Sequence, residues 1–501
     1  MLILPQSILL GMTFPMMSAS VLRLGSERGG RVFAMLYFTN SAGAVIGVLL
    51  AGFWLTEAYG LQATMVAAGL GNLVVAAVAA GIARRGVAVV AAVERSASAA
   101  TIGRWPLAFA FAMGASSFLY EIGWLRMLAL VQGASTHAFE TMLSAFILGL
   151  ALGGLWIRTR IERFKSPLVA LARVQILMGV AALATLPAYN YAFDIVASAL
   201  ATLPRADAGY IGYSLFGFAI SVGIMAPAAF FAGMTLPLLT FILYSQGRGE
   251  AEIGAVYGWN TLGAIAGTAA GGLILMPLIG LKNLLVAGAA VDIALGLALT
   301  AALFRRRELS APGIAAAFAA ISVVALIAAA VAFDFDVTRM ASGVFRTGSA
   351  RISAGSKVLF HADGRTASVD IFEDPRGARS IATNGKPDAS INMSPARGSF
   401  DAPASIDEYT MTLAAALSLA YAPGARRVAI IGHGSGLTTH AVLASPVVDQ
   451  ADVIEIEPEM VRGARAFLPR VERAYEDPRA RSSRGRRSAT TSSSRSRRIH
   501  G

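Results

Sequence analysis

Apolar residues dominate the first 333 positions, in runs broken by short polar stretches. A helix needs about 20 mostly apolar residues to cross a bilayer. Ten runs reach that length, at 2–22, 33–55, 62–83, 106–131, 138–157, 168–191, 211–243, 253–276, 283–304 and 312–333. The seventh carries Pro227 and Pro237, which predict a kink. After Phe333 the period changes. Residues 344–395 alternate as strands do, in Lys357–His361, Ala367–Phe372 and Arg379–Thr383, and Asp363-Gly364 and Asn384-Gly385 are hairpin-turn signals. A helical segment is expected over 405–421, with Asp407 and Glu408 in its first turn and Pro423-Gly424 ending it. A buried strand, Arg427–Ile431, then runs into Gly432-His433-Gly434-Ser435-Gly436. A second strand, Asp452–Glu457, places Glu455 23 residues after Gly432.

The membrane-like part repeats itself. Gly11-Met12-Thr13-Phe14-Pro15 recurs as Gly233-Met234-Thr235-Leu236-Pro237. Tyr37, Asn40, Gly43, Gly47, Gly52 and Gly60-Leu61 recur as Tyr257, Asn260, Gly263, Gly267, Gly272 and Gly280-Leu281. An even number of spans separates the copies, so they have the same orientation, which is the plan of major-facilitator halves. The expected organisation is a partial first repeat of three spans over 1–84 and a cytoplasmic linker over 85–105. A second repeat of six spans over 106–304 and an additional span over 312–333 follow. After these come a small antiparallel β-unit over 344–395, a partial α/β Rossmann-type domain over 405–478 and an Arg/Ser-rich disordered tail over 479–501. On this reading the chain starts within a repeat and stops where a third strand is due.

Composition agrees. Of 501 residues 55% are hydrophobic and only 14% charged, with mean hydropathy +0.61, against roughly a quarter charged in soluble proteins. No cysteine and five scattered histidines argue against a metal site. The net charge of +12 does not indicate nucleic acid: residues 479–501 hold eight Arg and no acid, which leaves about +4 on the rest. The other basic residues cluster in alternate loops, among them Arg158, Arg160, Arg163 and Lys165, and Arg305, Arg306 and Arg307. By the positive-inside rule these loops are cytoplasmic. A multi-pass protein of a bacterial-type inner membrane is expected, with the lipid bilayer as its first partner. The same rule places everything after the tenth span outside, in conflict with a cytosolic ligand for the last domain.

Charged and amide side chains within spans are costly and mark candidate transport or ligand sites, or interhelical bonds that fix packing. Glu121, Asp292 and the matched pair Asn40 and Asn260 are the candidates. In the last domain, the glycines at 432, 434 and 436 let backbone N–H groups approach a nucleotide-type ligand, and Glu455 can accept bonds from both ribose hydroxyls. His433 reads as a turn residue, and His361 and His440 have no visible partners in the sequence.

Together these segments resemble the membrane-fused spermidine synthase-like proteins, a major-facilitator-like region followed by a polyamine aminopropyltransferase domain. The resemblance rests on Tyr120-Glu121-x-x-Trp124-x-Arg126, Gly233-Met234-Thr235-Leu236-Pro237, Asn384-Gly385-Lys386-Pro387-Asp388, Gly432-x-Gly434-x-Gly436, Glu455-Ile456-Glu457-Pro458 and Asp477-Pro478-Arg479. It implies a methyltransferase-like Rossmann domain that binds decarboxylated S-adenosylmethionine, or S-adenosylmethionine, without metal, and transfers an aminopropyl group to a diamine in polyamine biosynthesis. On this carry-over Gly432, Gly434 and Gly436 line the nucleoside, Glu455 holds its ribose, and Asp407 and Glu408 begin the segment near the diamine. Met411 and Leu413 stand where that segment has Tyr and Glu. The acid after the third strand and the catalytic Asp after the fourth would lie beyond Arg481, so no catalytic residue is assigned. The alternative is a membrane transporter or sensor whose last domain binds a polyamine or other cationic ligand without catalysis.

Overall fold

The computed structural model describes residues 4–23, 29–84, 104–204, 206–248, 250–394 and 403–482. The chain divides into two compact units, Met1–Phe335 and Asp336–Gly501.

The first unit is helical: α1 (Leu4–Arg23), α2 (Gly29–Leu50), α3 (Thr56–Arg84), α4 (Arg104–Gln132), α5 (Thr136–Arg158), α6 (Pro167–Thr202), α7 (Asp207–Ser245), α8 (Glu250–Ala270), α9 (Met276–Arg305) and α10 (Pro312–Val331). Each expected run falls on one of them. Among the described residues six helical stretches are long and apolar enough to cross a membrane: Gly29–Arg84, Thr136–Arg158, Pro167–Thr202, Gly209–Ser245, Ala251–Arg305 and Pro312–Val331. The runs at 2–22 and 106–131, on α1 and α4, are not among the six; α4 carries Arg104, Glu121 and Arg126. Most of the expected linker at 85–105 lies outside the described residues.

The sequence repeat is also a repeat of backbone defects. A π-helical turn at Ala51–Leu55 joins α2 to α3, and another at Gly271–Leu275 joins α8 to α9, 220 residues on. Gly60 in α3 and Gly280 in α9 both leave helical geometry, at φ 77° and ψ 168° and at φ 77° and ψ 171°. Positive φ with extended ψ is open only to glycine. This is why Gly60-Leu61 and Gly280-Leu281 stand out in the sequence. The glycine spacing also sets helix contacts. A Cβ on Gly263 or Gly267 of α8 would collide with the backbone of Phe111 or Ala115 of α4. Around these contacts a core forms from Ala110, Met113, Ile157, Leu171, Met234, Leu239 and Val256.

The second unit begins with two short turns, α11 (Val337–Met340) and α12 (Val344–Thr347), and an antiparallel sheet of β1 (Lys357–Asp363), β2 (Ser368–Glu373), β3 (Ala378–Thr383) and β4 (Lys386–Asn392), in that order. Three of these strands are legible from alternation. The fourth begins with Lys386, Pro387 and Asp388, which break the alternation; it is an edge strand, where a proline is tolerated. Asn384 and Gly385, at φ 49° and 74°, form the turn before it.

Helix α13 (Ile406–Tyr421) starts with a capping box, the Ser405 hydroxyl accepting from the Glu408 N–H and the Glu408 carboxylate accepting from the Ser405 N–H. There follow β5 (Arg427–Ile431), α14 (Leu437–Val442), β6 (Gln450–Ile454), α15 (Pro458–Gly463), α16 (Arg473–Glu476) and β7 (Ala480–Ser482). Strands β5, β6 and β7 are parallel, in that order. Here the structure corrects two expectations. The sheet has a third strand, and the expected tail is ordered at its start, since β7 lies within 479–501. The remainder, 483–501, lies outside the described residues. Arg479 explains the third strand. Its guanidinium grips Asp477, 2.8 Å away, and donates to the carbonyls of Leu443, Ser445 and Val448, at 2.6, 3.0 and 2.8 Å. That fork ties the approach to β7 onto the end of α14. The two sheets face different cores: Val369, Ile371, Ile381 and Ile391 of the first sheet pack with Leu437 of α14, Met460 of α15 and Phe467, whereas Val428, Ile430 and Ala451 of the parallel sheet pack with Ala415 of α13 and Val442 of α14.

Candidate functional site

The glycine turn leaves the carboxyl end of β5. Gly432, Gly434 and Gly436 all have positive φ, 87°, 52° and 88°. A Cβ on Gly432 or Gly434 would meet open space, so backbone geometry, not crowding, requires glycine there. The Gly432 N–H donates to the Ile454 carbonyl at 2.9 Å, which registers the turn against β6.

Glu455 follows β6 directly and is half-buried. Its carboxylate accepts from the His433 N–H at 2.7 Å and from the Glu457 N–H at 2.9 Å. The structure thus brings together the four residues expected to hold the nucleoside: the three glycines and Glu455 surround one end of the parallel pair.

Glu457 is buried at 3% exposure and holds the first sheet. It accepts from the Thr366 N–H at 2.7 Å, the Thr366 hydroxyl at 2.8 Å and the Ala367 N–H at 3.3 Å. The β1–β2 hairpin is therefore fixed to the segment that aims Glu455. Sequence spacing does not show this link, because its partners are 91 and 90 positions apart.

His433 is a packed turn residue. Tyr475 donates its hydroxyl hydrogen to the Val461 carbonyl at 2.8 Å, so at 3.0 Å from His433 Nε2 it accepts from the ring N–H. Burial pushes this imidazole down to about 4, against a weaker upward pull from Glu455, so it is neutral near pH 7. The other histidines do have partners, contrary to the sequence reading. His361 on β1 bonds Asp370 on β2 at 2.6 Å, and His440 accepts the Arg473 N–H at 3.2 Å.

The expected diamine residues part company. Glu408 is buried at 2% exposure and both its oxygens are engaged. Oε1 accepts from the Asn392 N–H at 2.8 Å and the Ser405 N–H at 3.2 Å, and Oε2 from Arg470 at 2.9 Å. Asp407 is half-buried in the same turn. Met411, one turn further, accepts from the Ser435 hydroxyl through its sulfur at 3.1 Å and so touches the glycine turn.

The intramembrane candidates also separate. Asp292 on α9 is fully buried and accepts from Ser116 and Tyr120 of α4, at 2.7 and 2.6 Å, and from Gln175 of α6, at 2.6 Å. Glu121 is half-buried. Asn40 is exposed on α2, whereas its repeat counterpart Asn260 is half-buried where α8 meets Gly114 of α4. Among the described residues no group of three or more acidic or histidine side chains could hold a metal ion.

Residues 408–484 match the spermine/spermidine synthase domain. Within it lie the glycine turn, Glu455, Tyr475 and Arg479. Polyamine aminopropyltransferase 1 of Hyperthermus butylicus is 44% identical over 59 residues, 12% of this chain and 20% of that protein. Polyamine aminopropyltransferase 1 of Aquifex aeolicus is 36% identical over 58 residues, 12% of this chain and 21% of that protein. Polyamine aminopropyltransferase 2 of Streptomyces coelicolor is 24% identical over 404 residues, 76% of this chain and 63% of that protein. That alignment is too long to fit within the second unit and reaches well into the helices. The chain thus spans from a fifth to under two thirds of the length of these curated relatives. A crystal structure of spermidine synthase in complex with the transition-state analogue AdoDATO aligns at 23% identity over 25% of this chain and 39% of that one, with a TM-score of 0.21.

Proposed function

We propose that this protein is a membrane-embedded member of the polyamine aminopropyltransferase group. Its second unit binds decarboxylated S-adenosylmethionine as substrate and serves aminopropyl transfer to a diamine. The observation that carries the proposal is Glu455, a carboxylate held by the His433 and Glu457 N–H groups beside a turn of three positive-φ glycines. A carboxylate at the carboxyl end of the second parallel strand is placed to take two neighbouring ribose hydroxyls. The order β5-β6-β7 fits one half of a Rossmann-type sheet, residues 408–484 match the spermine/spermidine synthase domain, and the polyamine aminopropyltransferases similar to the chain are named for this transfer.

In the reaction, an amine lone pair forms a C–N bond to the propyl carbon on the sulfonium. The C–S bond breaks, and methylthioadenosine leaves as a neutral thioether. The attacking amine gives up a proton to a base. The chain's own contribution at the described site is to hold the ribose at Glu455 and keep the turn open beside it. For the helical unit we propose a bilayer-spanning, major-facilitator-like bundle, supported by the six long apolar helices and by the paired π-turns and glycine breaks.

A second reading, ligand binding without catalysis, is favoured by one observation: Glu408 is engaged by Arg470 and two backbone N–H groups and is not offered to a diamine. The two are separated by incubating the detergent-solubilised full chain with decarboxylated S-adenosylmethionine and putrescine and following products by mass spectrometry. Spermidine and methylthioadenosine in equal amounts support transfer. Binding without either product supports the second reading.

A further inference from the structure

A groove of about 590 Å³ opens between the ends of α4, α6 and α9. Its wall is apolar, including Phe109, Leu295 and Leu299, and runs about 16 Å along α9 from Leu295 to Arg306 at 1.5 Å per residue. At its mouth stand Trp105, Gln246 and Arg306, while no carboxylate lines it. Arg306 is exposed, is flanked by Arg305 and Arg307, and has no ion-pair partner among the described residues.

The shape sorts its ligands. A small polar anion would use the mouth and leave the long apolar wall uncovered. A neutral hydrocarbon would fill the wall and ignore the cations. An amphiphile with a long chain and an anionic head fits both parts. Basic pockets between membrane helices are suited to anionic headgroups, and an indole at the polar boundary is at home beside them. We propose that this groove is an anionic-phospholipid site, with an acyl chain along α9 and the phosphate-bearing head against Arg306, Gln246 and Trp105. The inference rests on the reading that the helical unit crosses a bilayer.

Trp105 provides the probe. The full chain is reconstituted into vesicles containing brominated phosphatidylglycerol or brominated phosphatidylcholine at equal mole fraction. The part of tryptophan quenching that disappears in Trp105→Phe reports this groove. The expected result is stronger quenching by phosphatidylglycerol, a preference that falls about fivefold in Arg306→Gln and largely survives in Arg305→Gln. Equal quenching by the two lipids, or a preference untouched by Arg306→Gln, overturns the site. Flotation of the same samples separates the two claims. Protein that does not float with vesicles refutes the membrane reading, whereas protein that floats without lipid preference refutes this site alone.

Discussion

His433 and His361 sit in the same unit and respond to pH in opposite directions. Burial holds the folded-state value of His433 near 4, below the usual 6.5. Its contribution is therefore complete above pH 6.5 and is lost as pH falls toward 4, a change of about 3 kcal/mol. His361 feels burial downward, but the hydrogen bond and charge of Asp370, with Asp363 adding to them, leave it raised. Its contribution is complete below about 6.5 and is lost as pH rises through the folded-state value. Thermal unfolding of the full chain across pH should show the acid-side loss flatten in His433→Asn and the alkaline-side loss flatten in His361→Asn. A single substitution that removes both would contradict the assignment. At this scale the sequence is uneven. Gly432 and Glu455 are legible because positive-φ glycines and a strand-end carboxylate leave a fixed spacing. The Tyr475 partner of His433 is not, because it arrives on a separate element 42 positions later. His361 and Asp370 are opposed in the β1–β2 register, so following the Asp363-Gly364 hairpin through its pairs would have joined them.

Single acids also hold elements together. Asp292 joins α9 to α4 and α6 through three neutral donors. Asp292→Ala would strand the Tyr120 and Gln175 donors, while the Ser116 hydroxyl keeps the Met113 carbonyl at 3.1 Å, and is expected to cost about 2 kcal/mol. Asp292→Asn, which keeps an acceptor oxygen, should cost less. Resistance of the solubilised chain to denaturant measures the difference, and equal effects would mean that the bonds do not matter. In the second unit, Glu408→Ala removes half a capping box and leaves Arg470 without its carboxylate, for an expected loss of about 3 kcal/mol. Because Glu408 faces inward, the same variant should leave the apparent affinity for a diamine unchanged; a diamine effect larger than the stability effect would restore it to the substrate site. The capping box is readable from Ser405 and Glu408 three apart, but Arg470 is not, lying 62 positions away. Strand β4 escaped because Pro387 and two charges mask an edge strand. Strand β7 escaped because its flanks are rich in Ser and Arg and its support comes from the Arg479 fork, not from apolar alternation.

Across the whole chain, the sequence changes character after Phe333, and the structure divides into a helical unit and a mixed unit after Phe335. The ten apolar runs are ten helices because run length is a coarse and robust signal. Among the described residues six stretches are long and apolar enough to cross a membrane, two of them carrying a π-turn and a broken glycine inside. The repeat was legible as matched glycines, and its physical meaning came from the backbone: the same two defects recur 220 residues apart. On the function proposed above, Glu455 and the glycine turn form a site for decarboxylated S-adenosylmethionine. The most direct measurement is the thermal stability of the full solubilised chain with and without that compound, for the native sequence and for Glu455→Gln. At a concentration 100 times the dissociation constant, binding should stabilise the native chain by about 2.7 kcal/mol, and Glu455→Gln should lose most of the shift while unfolding normally without ligand. No shift in the native chain, or an equal shift in both proteins, would contradict the claim.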